Sequence, residues 1–223
     1  MAQKASPYAI RVGYNQVWNN YFFPENKQDQ VNWLERDKLI RDYFRLIFPD
    51  TTRLRIEYTK SNIFIYLYIP EINLVLGENN EKLEKVMKDI YAKINDEKVS
   101  VKINLIEVKN IYTYAQSIAN LIASQLKKRL SFRLVTRNVL SKLSLEREIK
   151  GAKIEMSGRL DGKEIAETKK LVQGKMPLST IDSNIDVGFA KVITSYGAIG
   201  IKVLLYKGKI WQKRNHANTT QKN

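Results

Sequence analysis

The sequence predicts an α+β protein made of two successive parts, each with its own helices and strands. Apolar residues recur every three or four positions in some segments and every second position in others, the spacings of helices and of half-buried strands. In the first half of the 223-residue chain the order is helix, strand, strand, helix, strand. In the second half two helices precede several short strands, which predicts a small antiparallel sheet.

The first half begins with a predicted helix, LERDKLIRDYFRLIF, that ends before Pro49. RLRIEYT and NIFIYLYI follow, and their β-branched and aromatic residues predict a hairpin. A second helix and the alternating strand VSVKINLIEV complete this half. The apolar positions that share helical or strand spacing are Leu34, Leu39, Tyr43, Leu46 and Ile47 in the first helix, Leu83, Val86, Met87, Ile90 and Ile94 in the second, and Val99, Val101, Ile103 and Leu105 in the last strand.

The second half begins with two predicted helices, YAQSIANLIASQLKKRL and FRLVTRNVLSKL, with Ser131 as the N-cap of the second. Beyond Gly151, glycines and prolines separate four strand-like runs: AKIEMSG, EIAETKKLVQG, IDSNIDVGFAKVIT and GAIGIKVLLYKG. Residues 212–223 are polar and basic, and we expect a flexible tail. The predicted core positions of the two helices are Ile118, Ile122, Leu126 and Leu130, then Phe132, Val135, Val139 and Leu143.

The charge is distributed unequally along the chain. The whole sequence has 38 basic and 23 acidic residues, a formal net charge of +15. Residues 1–108 hold 16 basic and 15 acidic side chains, whereas residues 109–223 hold 22 basic and 8 acidic ones. A domain with such an excess repels itself unless a polyanion binds to it. The pattern therefore predicts a nucleic-acid partner for the second half, ahead of a membrane surface.

A series of cations in the second half is the best candidate for contact with RNA. It begins at Lys127, Lys128 and Arg129 and continues on the next helix with Arg133 and Arg137, which share an outward strip. No acidic residue lies among them to form ion pairs, and guanidinium groups can bind phosphates with two hydrogen bonds. Further along the chain, the residues that extend the positive surface are Lys150, Lys153, Arg159, Lys202, Lys207 and Lys209. The tyrosines that could stack on bases are Tyr112, Tyr114 and Tyr196.

The sequence offers little for catalysis, and we expect neither an enzyme nor a bound cofactor or metal. There is no Cys, and the single His, His216, lies in the polar tail, so a nucleophile–base pair or a thiolate metal site cannot be built in the core. Asp182 and Asp186 are four residues apart in a strand-like run. The pair leaves a metal-dependent nuclease as an alternative, although turn and edge roles are commoner for such residues. No apolar run is long enough to cross a membrane.

Several motifs in the second half resemble the C-terminal signature of one family, the universal third protein of the small ribosomal subunit. The matched runs are Ser157–Ala166, Pro177–Thr180, Ile185–Gly188 and Thr194–Val203, together with IASQLKKRLSFR at residues 122–133. The opening pattern of the family is matched by Gln3, Lys4, Pro7, Arg11, Gly13, Trp18 and Tyr21. The resemblance extends from about residue 3 to residue 211.

The resemblance implies a K-homology domain of the second type, over residues 29–108, after an N-terminal extension over 1–28. A basic α+β domain over 109–211 and the tail over 212–223 complete the implied organisation. The family lies in the head of the small subunit, binds small-subunit rRNA and neighbouring ribosomal proteins, and lines the mRNA entrance. In the run that helps bacterial members unwind mRNA, Arg133 and Arg137 keep their charge and Leu134 replaces an arginine. We also expect Lys4 and Arg11 to bind RNA.

The loop Gly77-Glu78-Asn79-Asn80 lies where the family has Gly-Lys-Lys-Gly. A glycine between a strand and a helix can admit a phosphate, but a K-homology clamp also needs positive charge nearby. Here both lysines and the second glycine are replaced, and Glu78 brings a charge that repels phosphate. The sequence therefore predicts a degenerate K-homology loop in which Gly77 serves mainly as a turn.

Two questions remain open at the level of sequence. The basic face of the second half would also suit a free-standing RNA-binding regulator that works outside the ribosome. The frequent Asn, Ile and Lys residues indicate an AT-rich genome. The ribosome in question would then belong to the cytoplasm of an AT-rich bacterium or to the interior of an organelle that encodes the protein.

Overall fold

The computed structural model describes residues 5–24, 26–59, 62–72, 76, 81–94 and 99–210, and the chain divides into two units. The N-terminal unit is Trp18–Lys109, and the C-terminal unit joins Met1–Val17 to Asn110–Asn223. The predicted extension over 1–28 is therefore divided between the units. The boundary between the two halves falls after Lys109.

The N-terminal unit contains two helices and a four-stranded sheet. Its elements are β1 (Asn20–Tyr21), α1 (Lys27–Ile47), β2 (Arg53–Tyr58), β3 (Asn62–Ile69), α2 (Glu81–Ile94) and β4 (Ser100–Glu107). The sheet order is β1-β2-β3-β4. The pair β2–β3 is antiparallel, as the predicted hairpin requires, whereas β1–β2 and β3–β4 are parallel. The predicted helix and strand order is confirmed, and it is consistent with the K-homology domain that the resemblance implies.

The core of this unit lies between the two helices and one face of the sheet, and it confirms the apolar stripe of α2. Val86 and Ile90 of α2 are buried with Ile65 and Leu67 of β3 and Val101 of β4. Strand residues in these positions alternate with exposed or half-exposed ones, because successive side chains point to opposite faces.

The predicted face of α1 is wrong for most of its positions. Leu34, Leu39 and Leu46 are exposed, whereas Asp37 and Phe44 belong to the buried face. The sequence reading missed this face because it contains a charged residue. Asp37 is accommodated by polar partners, with the side chain of Asn20 and Nε of Arg41 each donating to Oδ2 over 2.9 Å. The Tyr58 hydroxyl donates to Oδ1 over 3.3 Å.

The C-terminal unit contains two helices and a second sheet. Its elements are α3 (Ala115–Lys127), α4 (Phe132–Leu145), β5 (Gly151–Gly158), β6 (Glu167–Gly174), β7 (Ser183–Thr194) and β8 (Gly197–Lys209), with short 3-10 turns at Ala9–Arg11, Ile111–Thr113 and Leu160–Gly162. The strand order is β6-β5-β8-β7, and every pair is antiparallel. The two predicted helices, the four predicted strands and the α+β class are all confirmed.

Both helices of this unit pack on one face of the sheet. Ile118 and Ile122 of α3 and Val135 of α4 are buried against Ile154 of β5 and Ile201 of β8. At Gly188 of β7 a β-carbon would lie 2.3 Å from the carbonyl oxygen of Ala115, so only glycine allows α3 to come this close. The opposite face of the sheet has a smaller apolar cluster, Ile185, Leu204 and Tyr206, at one end.

Candidate nucleic-acid interface

The whole formal charge of the protein belongs to the C-terminal unit. The N-terminal unit holds 15 basic and 15 acidic residues, so the net charge of +15 lies in Met1–Val17 and Asn110–Asn223. An excess of this size on one folded unit raises the local concentration of polyanions around it. The C-terminal unit is therefore the candidate for contact with nucleic acid.

Helix α4 presents two arginines on a surface that its core residues hold in place. Phe132 and Val135 are buried at 4% and 2% exposure, whereas Arg133 and Arg137 are exposed. Positions four apart lie one above the other on a helix, so the two guanidinium groups follow a single strip. Leu134, in the position where the family run has an arginine, is 57% exposed and adds an apolar contact surface beside that strip.

The start of α4 is fixed by a carboxylate from another part of the unit. The backbone N–H of Phe132 donates to Oδ1 of Asp161 over 3.2 Å, and the hydroxyl of Ser131 donates to Oδ2 over 3.3 Å. Ser131 occupies the predicted N-cap position, but its side chain makes no capping hydrogen bond within the helix. Asp161 therefore supplies the capping group, and it also places a negative charge at the positive end of the helix.

The turn between α3 and α4 carries three further exposed cations, Lys127, Lys128 and Arg129. Helix α3 ends there because Arg129 adopts a left-handed conformation with φ of 62°. Its N–H donates to the carbonyl of Leu126 over 3.0 Å, and the N–H of Leu130 donates to that of Gln125 over 3.3 Å. This hydrogen-bond pair is the one that usually has glycine in place of Arg129. The predicted core position Leu130 is 49% exposed, because the helix has ended before it.

A groove runs between α4 and the edge strand β6, and it brings in a cation that the sequence reading missed. The groove is lined on one side by Arg133, Arg137 and Ser141, and on the other by Lys169 and Leu171. Lys169 stands on the helix side of the sheet, since it lies opposite the core residue Met156. The two adjacent lysines of the predicted strand EIAETKKLVQG were the available signal, but which of them faces α4 depends on the strand order and register.

Three of the predicted RNA-binding residues lie on or near the sheet and already have partners. Nζ of Lys153 lies 2.7 Å from Oε1 of Glu155, and the lysine side chain is only 15% exposed. Nζ of Lys202 lies 5.5 Å from the ring centroid of Phe189. Arg159 donates to the carbonyls of Lys163 and Tyr196. These contacts fix the positions of the three cations, and those of Lys153 reduce the charge available to RNA.

Lysines also lie over two of the tyrosines that were considered for base stacking. Nζ of Lys142 is 5.6 Å from the Tyr112 ring centroid, and Nζ of Lys207 is 4.9 Å from that of Tyr114. Tyr112 packs against the main core of the unit. The rings of Tyr112 and Tyr114 are therefore engaged in cation–π contacts within the fold.

Arg11 requires a correction, because the structure buries it. The residue is 0% exposed, and its guanidinium donates to the carbonyls of Pro7 (2.7 Å), Thr180 (2.7 Å) and Ser183 (2.9 Å). Burial also lowers the pKa of its guanidinium. A guanidinium enclosed in this way cannot reach a phosphate, so the prediction that Arg11 binds RNA is wrong. Its role is to hold residues 7–16 against the loop that precedes β7.

Three other predicted features lie outside the described residues. These are Lys4, the loop Gly77-Glu78-Asn79-Asn80 and the tail over 212–223. They remain predictions from the sequence.

Asp186 of the candidate carboxylate pair serves the fold. Oδ2 of Asp186 accepts a hydrogen bond of 2.9 Å from the backbone N–H of Ala115, at the start of α3, and lies 3.6 Å from Nζ of Lys207. Within the described ranges no cluster of three or more His, Cys, Asp or Glu residues could hold a metal ion. In the same part of the chain, every helix is too short or too polar to span a bilayer.

Comparison with known proteins identifies the family of this chain. The profile described as "Ribosomal protein S3, C-terminal domain" matches residues 122–205. A relative from Spiroplasma citri, "Small ribosomal subunit protein uS3", is 37% identical over 100% of this chain and 88% of its own length. Relatives of the same name from Exiguobacterium sp. AT1b (36% identical, 97% of each chain) and Helicobacter pylori J99 (34% identical, 96% of this chain and 90% of the relative) match almost as far.

These alignments cover both units, including the N-terminal unit that the profile does not reach. Identity above one third across nearly the whole length is incompatible with the sharing of a single motif. The chain therefore belongs to the bacterial-type family of the small ribosomal subunit protein uS3.

Proposed function

We propose that this protein is a structural constituent of the small ribosomal subunit and binds the rRNA of that subunit mainly through its C-terminal unit. Membership of the family gives it a structural role rather than an enzymatic one. Its partners are rRNA and neighbouring ribosomal proteins, and its place is the ribosome. None of the named relatives carries a name that suggests a free-standing regulator.

The distribution of charge is the observation that carries the proposal. A net +15 on one unit and zero on the other is useful where one part of a protein grips a polyanion and the other does not. The exposed cations of the α3–α4 turn and of α4 stand on a backbone fixed by a buried core. Each phosphate that they neutralise releases counterions, which makes the binding favourable and sensitive to salt.

We further propose that Arg133 and Arg137 line the mRNA entrance. Support comes from their exposure on one strip of α4 and from their match to the family run that contacts entering mRNA. Two arginines four residues apart are spaced about 6 Å along the helix axis. This spacing allows each to bind a separate phosphate of an extended strand. Leu134 leaves the strip with one cation fewer than the family pattern.

The N-terminal unit has no excess charge, and we propose that it docks mainly against neighbouring ribosomal proteins. The Gly77 loop would then contribute little to RNA affinity. The ribosome would be that of an AT-rich bacterium or of an organelle that encodes the protein, as the residue usage predicts.

Co-sedimentation tests the principal proposal. Tagged protein expressed in its own cells, or in a bacterium with a close relative, should sediment with small subunits in stoichiometric amount. It should remain bound at moderate salt and leave the subunit at high salt, because phosphate contacts are screened. A protein found mostly in ribosome-free fractions, bound to other RNAs, would instead support the free-standing regulator.

A further inference from the structure

The face of the second sheet that α3 and α4 do not cover carries an ordered array of side chains. Residues directly opposite each other on neighbouring antiparallel strands share a face. The pairing of β7 with β8, β8 with β5 and β5 with β6 therefore aligns one row across all four strands. That row consists of Phe189, Lys202, Glu155 and Lys170.

The adjacent row is made of smaller groups. It consists of Lys191, Gly200, Ser157 and Thr168. A β-carbon on Gly200 would lie 3.2 Å from the hydroxyl oxygen of Ser157. Because Gly200 has no side chain, this row projects less far from the sheet than the first row does. Between Lys191 at one end and the first row along its side, the small residues form a shallow trough with two hydroxyl groups, those of Ser157 and Thr168.

Exposed apolar surface accompanies the two rows. Phe189 is 57% exposed, and Ile193, four residues along the same strand and hence on the same face, is 75% exposed. Nζ of Lys202 lies 5.5 Å from the Phe189 ring centroid. Apolar side chains that are exposed close together on one face, rather than scattered singly, are typical of surfaces that bind another molecule.

The charge of this face is strongly positive. Four lysines belong to it, Lys153, Lys170, Lys191 and Lys202, and the only carboxylate in the two rows is that of Glu155. The hydrogen bond from Lys153 engages that carboxylate at 2.7 Å. The face therefore has an excess of positive charge, with Lys191 and Lys202 near the exposed aromatic ring and Lys170 at the far end of its row. This combination suits a partner with negative charge and flat, stackable groups.

We propose that this open face binds a single-stranded segment or loop of small-subunit rRNA, with one base stacked on Phe189. Lys170, Lys191 and Lys202 contact its phosphates, and the trough over Gly200 admits the sugar or base edge to the hydroxyls of Ser157 and Thr168. The inference rests on the proposed function and adds a second RNA-binding surface, on the side of the sheet opposite α4. RNA is favoured over an acidic protein segment because stacking and phosphate contact use the ring and the cations together.

Salt titration of binding separates the two kinds of contact. The full-length protein is titrated against small-subunit rRNA at salt concentrations from about 50 to about 400 mM. This range is wide enough to define the slope of log affinity against log salt concentration. Loss of a stacked base in Phe189→Ala should weaken binding by about five-fold or more without changing the slope of log affinity against log salt. Phe189→Trp should restore affinity. Lys170→Ala and Lys191→Ala should each reduce the slope by about 0.7.

Phe23→Ala is the matched control, since Phe23 is 90% exposed in the N-terminal unit and its removal should leave affinity unchanged. Circular dichroism and the midpoint of denaturation show that each variant is folded. If wild-type protein binds with a steep salt dependence and Phe189→Ala binds equally well, the inference is overturned and the proposed function stands. If the wild-type protein itself shows no salt-sensitive affinity for small-subunit rRNA, the proposed function is overturned, and the inference that rests on it is overturned too.

A photoreactive phenylalanine analogue at position 189 identifies the occupant in assembled subunits. The expected product is an rRNA adduct in particles that contain the protein at normal stoichiometry. An adduct with a ribosomal protein, or no adduct in particles that do contain the protein, would overturn the inference. The same analogue at position 23 gives the background of crosslinking from an exposed aromatic position outside the sheet.

Discussion

Nε of Arg11 donates a hydrogen bond of 2.9 Å to the carbonyl oxygen of Ser183, although the two residues are 172 positions apart. The same guanidinium donates to Leu178 and Thr180 in the loop before β7. The start of the chain is thereby fixed to the sheet of the C-terminal unit. Each of these carbonyl oxygens is at or near the interior, where the loss of a donor leaves an uncompensated polar atom.

Removal of this donor should destabilise the C-terminal unit. We expect Arg11→Ala to lower the free energy of unfolding by about 3 kcal/mol, because several buried acceptors lose a charged donor at once. Arg11→Lys should be almost as damaging, since one ammonium group cannot serve acceptors spread around a planar guanidinium. Urea denaturation followed by circular dichroism measures both effects.

Arg147→Ala is the matched control for Arg11, because Arg147 is an exposed arginine of the same unit and its loss should change stability by less than about 0.5 kcal/mol. A fully stable Arg11→Lys variant with reduced rRNA affinity would contradict the structural role and restore the RNA contact.

Arg129 combines backbone strain with a charge at the candidate interface, and two substitutions separate these contributions. Glycine tolerates φ of 62° without strain, so Arg129→Gly should raise the free energy of unfolding by about 0.5–1 kcal/mol. Arg129→Ala keeps the strain and should leave stability close to that of the wild type. If Arg129 contacts a phosphate, both variants should lose about 0.7–0.9 from the salt slope of rRNA binding.

Denaturation and salt titration on the same three proteins test this prediction. A glycine variant that is more stable and binds rRNA with an unchanged slope would show that Arg129 serves only as a helix terminator. A glycine variant less stable than the alanine variant would show that the left-handed conformation is not a source of strain.

The strip on α4 should act during translation of structured messages. We expect Arg133→Ala combined with Arg137→Ala to slow translation through a stable mRNA hairpin, because two phosphate contacts are lost where the strand enters. Translation of an unstructured message should be unaffected. Leu134→Arg should strengthen the same activity, since it adds a third cation to the exposed surface of the helix. The measurement is the rate of synthesis by purified ribosomes on matched messages with and without the hairpin.

A control removes two charges elsewhere on the unit. Arg147→Ala with Lys175→Ala changes two exposed cations and should not affect the passage of the hairpin. If the α4 double variant translates the hairpin message as fast as wild type, the placement of Arg133 and Arg137 at the mRNA entrance is wrong.

Much of the fold follows from local sequence patterns, because strands and helices with one buried face show their period directly. The alternation in NIFIYLYI and the steps of three and four before Ile94 locate β3 and α2 within a few residues. The same rule fails for α1, where Asp37 lies on the buried face. When hydrogen bonds from other side chains allow a charged residue to be buried, the spacing of apolar residues in the sequence does not reveal that buried position.

Some features of the candidate site could likewise be predicted from the sequence, and others could not. The exposed positions of Arg133 and Arg137 could be predicted because four-residue spacing and buried neighbours are local properties of α4. The burial of Arg11 could not, since its acceptors in and after the loop before β7 are more than 160 positions away. The row from Phe189 to Lys170 was equally inaccessible, because it depends on the order and register of four strands. A sequence shows which residues share a face of one strand, but not which strands lie side by side.

The carboxylate of Glu155 should make the stability of the C-terminal unit depend on pH. Burial raises its pKa, but the hydrogen bond from Lys153 and the charges of Lys153, Lys170 and Lys202 lower it further, and the net result lies below the ordinary value. A carboxylate whose pKa is lowered by folding stabilises the native state above the unfolded-state pKa of about 4.3. This contribution is lost as the pH falls through the lower, folded-state pKa.

Glu155→Gln tests this dependence. At pH 7 the variant should be less stable by about 1 kcal/mol, because Lys153 is only 15% exposed and loses its charged partner. The difference from wild type should shrink as the pH falls from about 5 towards 3, since the wild-type carboxylate is then protonated as well. Urea denaturation at four pH values measures it, with Glu164→Gln, at an exposed position of the same unit, as the matched control. A difference that is the same at pH 7 and pH 3 would show that the glutamate acts through packing, and that the lysines around it do not depend on its charge.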